Sequence, residues 1–238
     1  MKKIYLAILA FLMLASIPAL AQKGLYLGAA VTEQSTWITN QNNYGLREMD
    51  YSMTWGLGYN LNIGWDFNDH IGVKVELGSA QFGQNYTDQL GDSAITRDVK
   101  MTHFQIPVMF KYRLGGKVVK FYIAAGPQFD FLSSAKQDYA INGIAYNDTL
   151  VNMGGESFNP GSEDIKERFT SMDVFVRMDL GVEFMVINHL MIDFGLKTGY
   201  GLMDINATDY QMPDRSSGTY HPSHDVFAGL TLGVNWHF

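Results

Sequence analysis

Two groups of residues in this chain are of types that could do chemistry. The first is the run His221-Pro-Ser-His-Asp225. A hydroxyl, two imidazoles and a carboxylate at such close spacing are the parts of a nucleophile, base and orienting acid, the set a rim hydrolase would use on lipid or peptide. His221, His224 and Asp225 would also make a mixed imidazole and carboxylate donor set for a divalent metal. A polar loop that its own proline ends before the next strand explains the same residues without chemistry, and short motifs match by chance. That plain reading is favoured, so no catalytic residue, metal or cofactor is expected.

The second group is charged and spread along the chain: Lys74, Glu76, His103, Lys111, Arg113, Asp130, Asp173, Arg177, Asp179, Glu183, Asp193 and Lys197, with Gln105 among them. On one shared face these cations and anions would nearly cancel. Buried and unpaired they would cost several kcal/mol each, so a paired network is required. A proton or ion path is the functional reading and a structural plug the expected one.

Elements that turn such residues to one side are easy to find. From Tyr51 to Trp65 every second residue is apolar (Tyr51, Met53, Trp55, Leu57, Tyr59, Leu61, Ile63, Trp65), and the residues between are only Ser, Thr, Gly and Asn. Strand side chains alternate between faces, so this is a strand with one bulky oily face and one small polar face. A water-facing strand would carry Lys, Glu or Arg there. Small polar residues suit the inside of a narrow barrel, with the apolar face turned to lipid. A soluble barrel with an apolar interior could not hold so many large side chains.

The same pattern predicts an all-β fold, an eight-stranded antiparallel up-and-down transmembrane β-barrel. Its strands are expected at about 23–32, 51–65, 71–82, 99–114, 119–132, 172–186, 190–203 and 226–238. Short turns at 66–70, 115–118 and 187–189 alternate with long connections at 33–50, 83–98, 133–171 and 204–225. Outer-membrane barrels keep short periplasmic turns and long extracellular loops; an even strand count then leaves both termini periplasmic. Aromatic residues gather in two belts, Trp65, Phe67, Tyr112, Phe121, Phe184, Trp236 and Phe238 toward the short turns, and Tyr51, Trp55, Phe129, Phe131 and Tyr200 toward the long loops. An eight-stranded barrel is just wide enough for its own side chains, so an open channel is not expected. Counting back from the 115–118 turn sets His103 opposite Asp130. Counting from Asn188 sets Asp179 opposite Lys197, expected as a salt bridge, and Glu183 opposite Asp193, a like-charge pair that needs a cation such as Lys74 or Lys111.

The N-terminus reads as an export signal: Lys2 and Lys3, an apolar run from Ile4 to Leu14, and the small-x-small site Ala19-Leu20-Ala21. Residues 1–21 are thus expected to be removed, leaving 22–238 as the barrel. The apolar run is too short for a membrane helix. The chain closes on Trp236-His-Phe238, an alternating strand with a terminal aromatic, as expected of a segment that barrel-insertion machinery grips through Phe238. Cysteine is absent and the formal net charge is −7, which excludes thiolate metal sites, disulfides and a lipoprotein anchor, and argues against nucleic acid as a partner. Expected partners are outer-membrane lipid, the insertion machinery and envelope or secretion proteins. The 133–171 connection, with Tyr139, Tyr146, Phe158 and Phe169, is long enough to fold over the barrel mouth or meet a partner.

The segment His103-Phe-Gln-Ile-Pro-Val-Met-Phe-Lys-Tyr112, followed by Phe121-Tyr-Ile-Ala-Ala-Gly-Pro127, resembles the PorT-type outer-membrane β-barrel family. The resemblance implies the barrel fold, outer-membrane placement and, for a few members, assistance to secretion; it implies no catalytic residue. Proteins of this kind can carry O-glycans at Asp-Ser/Thr-apolar sequences, which Asp92-Ser93-Ala94 and Asp148-Thr149-Leu150 match. Pro107 and Pro127 each remove a ladder donor on adjacent strands, so loosened pairing is expected at their height. The alternatives to a structural or partner-docking barrel are the rim hydrolase and a small transporter of an apolar ligand.

Overall fold

The computed structural model describes residues 24–40, 50–146, 163–211, 213 and 218–238. The leader segment, Asp148–Leu150 and Phe158 lie outside them. Ten strands lie among the described residues: β1 Leu25–Thr39, β2 Asp50–Asp66, β3 Ile71–Leu90, β4 Ser93–Gly115, β5 Val119–Ile141, β6 Ile144–Tyr146, β7 Glu163–Asp164, β8 Met172–Ile187, β9 Leu190–Gly201 and β10 His224–His237. β1, β2, β3, β4, β5, β8, β9 and β10 pair in that order, all antiparallel, and β10 returns to β1, so eight strands close a ring. Closure removes the free edges that an open sheet would present. β6 and β7 lie outside the ring and pair with β5 beyond it.

The turns at one end are tight for local reasons. Asn68 caps the β2–β3 turn by accepting from the backbone N–H of His70 and Ile71, at 2.8 and 2.9 Å. Gly115, at φ +137°, opens the β4–β5 turn in a conformation that other residues resist.

At the other end four strands are longer than the alternation of lipid-facing residues suggested. The expected loop at 83–98 is instead a continuation of β3 and β4, joined at Gly91, and the expected loop from 133 begins as a continuation of β5. β1 likewise runs on to Thr39, through residues expected in a loop. The cause is a change of phase. Around the membrane band the apolar side chains point out: Phe104, Val108, Phe110 and Tyr112 on β4 are exposed. Further up the same strand, Ile95, Val99 and Met101 are buried inside while Thr96, Asp98 and Lys100 face outward. Lys100 donates to Asp138 of β5 across that outer face at 2.7 Å. Water therefore bathes the outside of this extension. Its inside is an apolar core of Tyr86, Ile95, Val99, Met101, Ala135, Ile165 and Phe169.

Prolines loosen the wall where they fall. β3 and β4 pair at Val75↔Val108 and again at Gly78↔Gln105, with a lapse at Pro107 between them. β4 and β5 pair at Pro107↔Gln128 and at Phe110↔Ala125, with a lapse beside Gly126 and Pro127. A bulge on β5 shifts the register between Thr102 and His103.

Candidate functional site

The inward face of the ring is filled, and its filling has three layers. Nearest the short turns, Lys111 of β4 donates to Glu183 of β8 at 2.6 Å and lies 4.7 Å above the ring of Tyr26. Arg113 reaches the same Glu183 through Nε at 3.1 Å and grips Asp66 with both terminal guanidinium nitrogens. Glu183 and Asp193 do stand opposite each other. Lys111 is the cation that serves Glu183, joined by Arg113, while Asp193 accepts from the amide of Asn235 at 2.7 Å. Tyr26 fits here because Gly64 faces it; a Cβ at that position would run into the phenol ring.

The middle layer is built on Glu76. It receives Lys74 at 2.6 Å, Arg177 at 3.0 Å and Lys197 at 3.3 Å. Arg177 also donates through Nε and Nη2 to the two oxygens of Asp179, both at 2.8 Å, and through Nη1 to Gln128 at 3.1 Å. The register Asp179↔Lys197 is as expected, but the expected salt bridge between them is not formed. Arg177, on the same strand and the same face as Asp179, occupies its oxygens in bidentate geometry, and Lys197 turns to Glu76 instead. All of these groups are buried. Planar, bidentate guanidinium contacts are among the strongest such pairs available.

Above them lies an aromatic layer. Phe82, Phe175 and Phe227 pack mutually at 5.7 to 5.9 Å between ring centroids, and Phe82 stacks on His103 at 4.8 Å. Gly199 leaves the space that the Phe227 ring fills. His103 does not sit directly opposite Asp130. The hairpin register is displaced by two residues, which preserves the face, so Gln105 pairs with Asp130 and His103 with Leu132. His103 Nδ1 still comes within 3.4 Å of Asp130, on the diagonal. Asp173 and Asp225 join them around a space of about 10 Å³, at the lower bound for one water.

Asp225 is thus an interior residue. The sequence reading grouped it with His221 and His224, and the structure does not bring these three together. His224 and Asp225 are consecutive in β10 and point to opposite faces: Asp225 is buried inward, and His224 packs against Tyr200 outside with its Nδ1 on the carbonyl of Met203. Among the described residues no group of His, Cys, Asp or Glu is arranged to hold a metal ion.

The β9–β10 connection folds over the mouth. Asp204 accepts from Tyr220 Oη at 2.5 Å, Gln211 Nε2 at 3.0 Å and the backbone N–H groups of Asn206 and Ser223 at 3.1 Å. Burial, and then the bond to Asp204, raise the Tyr220 phenol above its ordinary range. Ile205 and Phe169 are carried into the apolar core beneath. The 133–171 connection does therefore reach over the lumen with Phe169; its Tyr139 is part-buried against the same core. At the short-turn end a basin of about 440 Å³ opens between Asp66, Lys117, Lys120 and His237.

A closed antiparallel ring, oily outside and packed with paired charge inside, defines an integral membrane β-barrel of the outer-membrane class. The chain belongs to the family of outer membrane protein beta-barrel domains, whose profile matches residues 7–238. No curated protein matches the sequence significantly. Among solved structures it is similar to Neisserial surface protein A, at 13% identity and a TM-score of 0.46 over 90% of this chain and 97% of that one. It is also similar to OprG from Pseudomonas aeruginosa, at 12% identity and 0.44 over 91% and 97%. The outer membrane enzyme PagL is similar at 13% and 0.36 over 87% and 97%. Likeness at this level says nothing of activity.

Proposed function

We propose that this chain is a non-enzymatic outer-membrane barrel with a closed lumen, whose role is to structure the membrane and dock envelope partners. The observation that carries this reading is the filling of the lumen, where Glu76, Asp179, Arg177 and Lys197 are each at most 4% exposed beneath the phenylalanine layer. Among the described residues, side chains so placed leave no aqueous path through the middle of the lumen and no apolar cavity there for a ligand. The short turns and both termini then face the periplasm, and the β3–β5 extension faces outward from the cell. The Ile106-Pro107 to Lys111-Tyr112 strand and the Gly126-Pro127 strand support placement in the PorT-type group, hence a role accessory to secretion or to envelope integrity. Cleavage after Ala21 fits the same route.

Purified protein in planar bilayers tests it. The expected result is no steady conductance, heat-modifiable gel migration, an N-terminus at Gln22, and no hydrolysis of lipid or peptide that depends on His224. A stable open conductance, or hydrolysis abolished by His224→Ala, would overturn it.

A further inference from the structure

Beneath the segments that fold over the mouth, the barrel encloses more acid than base. His103 of β4, Asp130 of β5, Asp173 of β8 and Asp225 of β10 line one small space, roofed by Phe169, Thr170 and Ile205. These four titratable residues are each at most 5% exposed. Asp130, Asp173 and Asp225 each leave one carboxyl oxygen buried without a hydrogen-bond partner. The neighbouring elements add no further charge at this height. β9 brings Gly199 and Gly201, β1 brings Ile38 opposite Asp225, and β3 brings Phe82, stacked on His103. Below, Arg177 is engaged by Asp179 and Glu76. Further up β4, Arg97 lies over the Tyr139 ring, with Val99 and Met101 between it and His103. Over the mouth, Asp204 accepts from Tyr220, Glu167 accepts from Tyr210, Arg168 reaches Glu163, and Lys166 donates to the carbonyl of Ser133. His221 is exposed, and His224 packs outside the wall.

Donors inside the cage are too few for three carboxylates. Asp173 accepts from the backbone N–H groups of Val174 and Met203, at 2.6 and 3.0 Å. Asp130 accepts from the Gln105 amide at 2.8 Å and has His103 at 3.4 Å. No hydrogen bond reaches the Asp225 carboxyl group among the described residues. Carboxyl groups gathered this closely out of water do not all ionise, so one of them carries a proton. The group without donors, Asp225, is the one to hold it, while imidazolium at His103 balances Asp130. A space of about 10 Å³ has no room for the waters that another negative charge would draw in. The roof is the side of the cage that lies outside the ring ladder. It is fastened by a few bonds, among them Met203 N–H to Asp173, Thr170 N–H to the carbonyl of Ile205 at 2.8 Å, and Ile205 N–H to that of Ser223 at 3.0 Å.

We propose that this cage is a proton-operated latch for the barrel mouth: a proton bound between Asp225 and its neighbours keeps the 202–211 segment down, and its loss to solvent water lifts that segment. The closed state binds the extra proton, so closure is favoured at low pH and weakens as pH rises. The charge layer around Glu76 lies deeper, so the latch governs access to the mouth and not conduction.

A spin label on the roof tests it. The chain has no cysteine, so Asp209→Cys, at an exposed position of the 202–211 segment, takes a single label. Gly116→Cys, exposed at the short-turn end, takes a control label in a second sample. Spectra of the full barrel in lipid vesicles are recorded between about pH 5 and about pH 8. At Asp209→Cys the ratio of mobile to immobile label should rise with pH, by up to about tenfold per pH unit, the limit for one proton. The Gly116→Cys label should not respond. Asp225→Asn and Asp225→Ser, which cannot ionise in this range, should hold the roof label immobile throughout, with heat-modifiable migration confirming that each is folded. His224→Gln should keep the rise, since that imidazole meets the Met203 carbonyl from outside. A roof label indifferent to pH, a rise that persists in a folded Asp225 variant, a rise lost in His224→Gln, or an equal response at Gly116→Cys would each overturn the latch.

Discussion

Asp179 and Lys197 face each other across β8 and β9 and are not bonded: Lys197 donates to Glu76 at 3.3 Å, and Asp179 is held by Arg177. Register brings residues level; the other charges in the lumen choose the partners. Glu76 carries three cations, so it is the anion whose loss matters most.

Replacing Glu76 with Gln should therefore cost about 3–5 kcal/mol in refolding stability, the scale for removing one partner from a buried charge cluster. A double-mutant cycle of Glu76→Gln with Lys197→Met should show coupling of about 0.5–3 kcal/mol. The cycle of Asp179→Asn with Lys197→Met should show clearly less. Equal coupling in the two cycles would mean that the lysine is shared.

The outward face makes an independent prediction. Leu180 pairs with Leu196 and Ile123 within the lipid band and is exposed. Leu180→Arg should cost about 2–4 kcal/mol if near the midplane. Thr96→Arg, on the outer face of the extension, should cost almost nothing. Urea unfolding in vesicles compares them, and similar costs would put the extension inside the membrane.

The aromatic layer should behave as a packed core. Phe175 is fully buried against Phe82 and Phe227. Phe175→Ala is expected to cost about 3–5 kcal/mol. Planar-bilayer recording of the same variant reads a second property: the charge layer beneath should keep it closed. A conducting Phe175→Ala would assign the seal to the phenylalanines alone.

Asp204 ties the mouth together, so Asp204→Ala should break its bonds to Tyr220, Gln211 and the backbone of Asn206 and Ser223 at once. The barrel itself should stay heat-modifiable and folded, while the 202–211 segment becomes open to protease added to the purified, folded protein. Cleavage no faster than in the parent would show that Ile205 and Phe169 hold the cap without it.

The membrane-spanning part of this architecture was legible because one physical rule, apolar outward and polar inward, runs unbroken from Tyr51 to Trp65, and its outward half holds on β8, on β10 and on β4 from Phe104 to Leu114. It failed where the solvent changes. Above the lipid the outward face of β4 carries Thr96, Asp98 and Lys100, and the apolar residues move inside, so the run of lipid-facing residues ends at Phe104 and the strand beyond Val99 reads as a loop. The two-residue Asn142-Gly143 turn, at φ +51° and +78°, was the available sign that β5 continues into a hairpin. The lumen charges were found by parity. Parity from Val226 would also have put Asp225 inside with His103, and a β1 extended past Thr32 would have put Glu33 outside. Which cation meets which anion was not legible, because side-chain length and competition among three or four neighbours decide it, and register fixes neither.

The lapses in pairing at Pro107 and at Gly126-Pro127 fall on successive edges of the same strand, β4, within the lipid band. Backbone groups left without a ladder partner there cannot be hydrated from the hydrocarbon side; relief comes only from the interior, where Gln128, Arg177 and Lys74 lie. Amide hydrogen exchange in the middle of β4 should consequently report on the inner charge cluster more than on temperature-driven fraying from the ends. β4 is then the stave from which the cask first leaks, and inward is the direction of the leak.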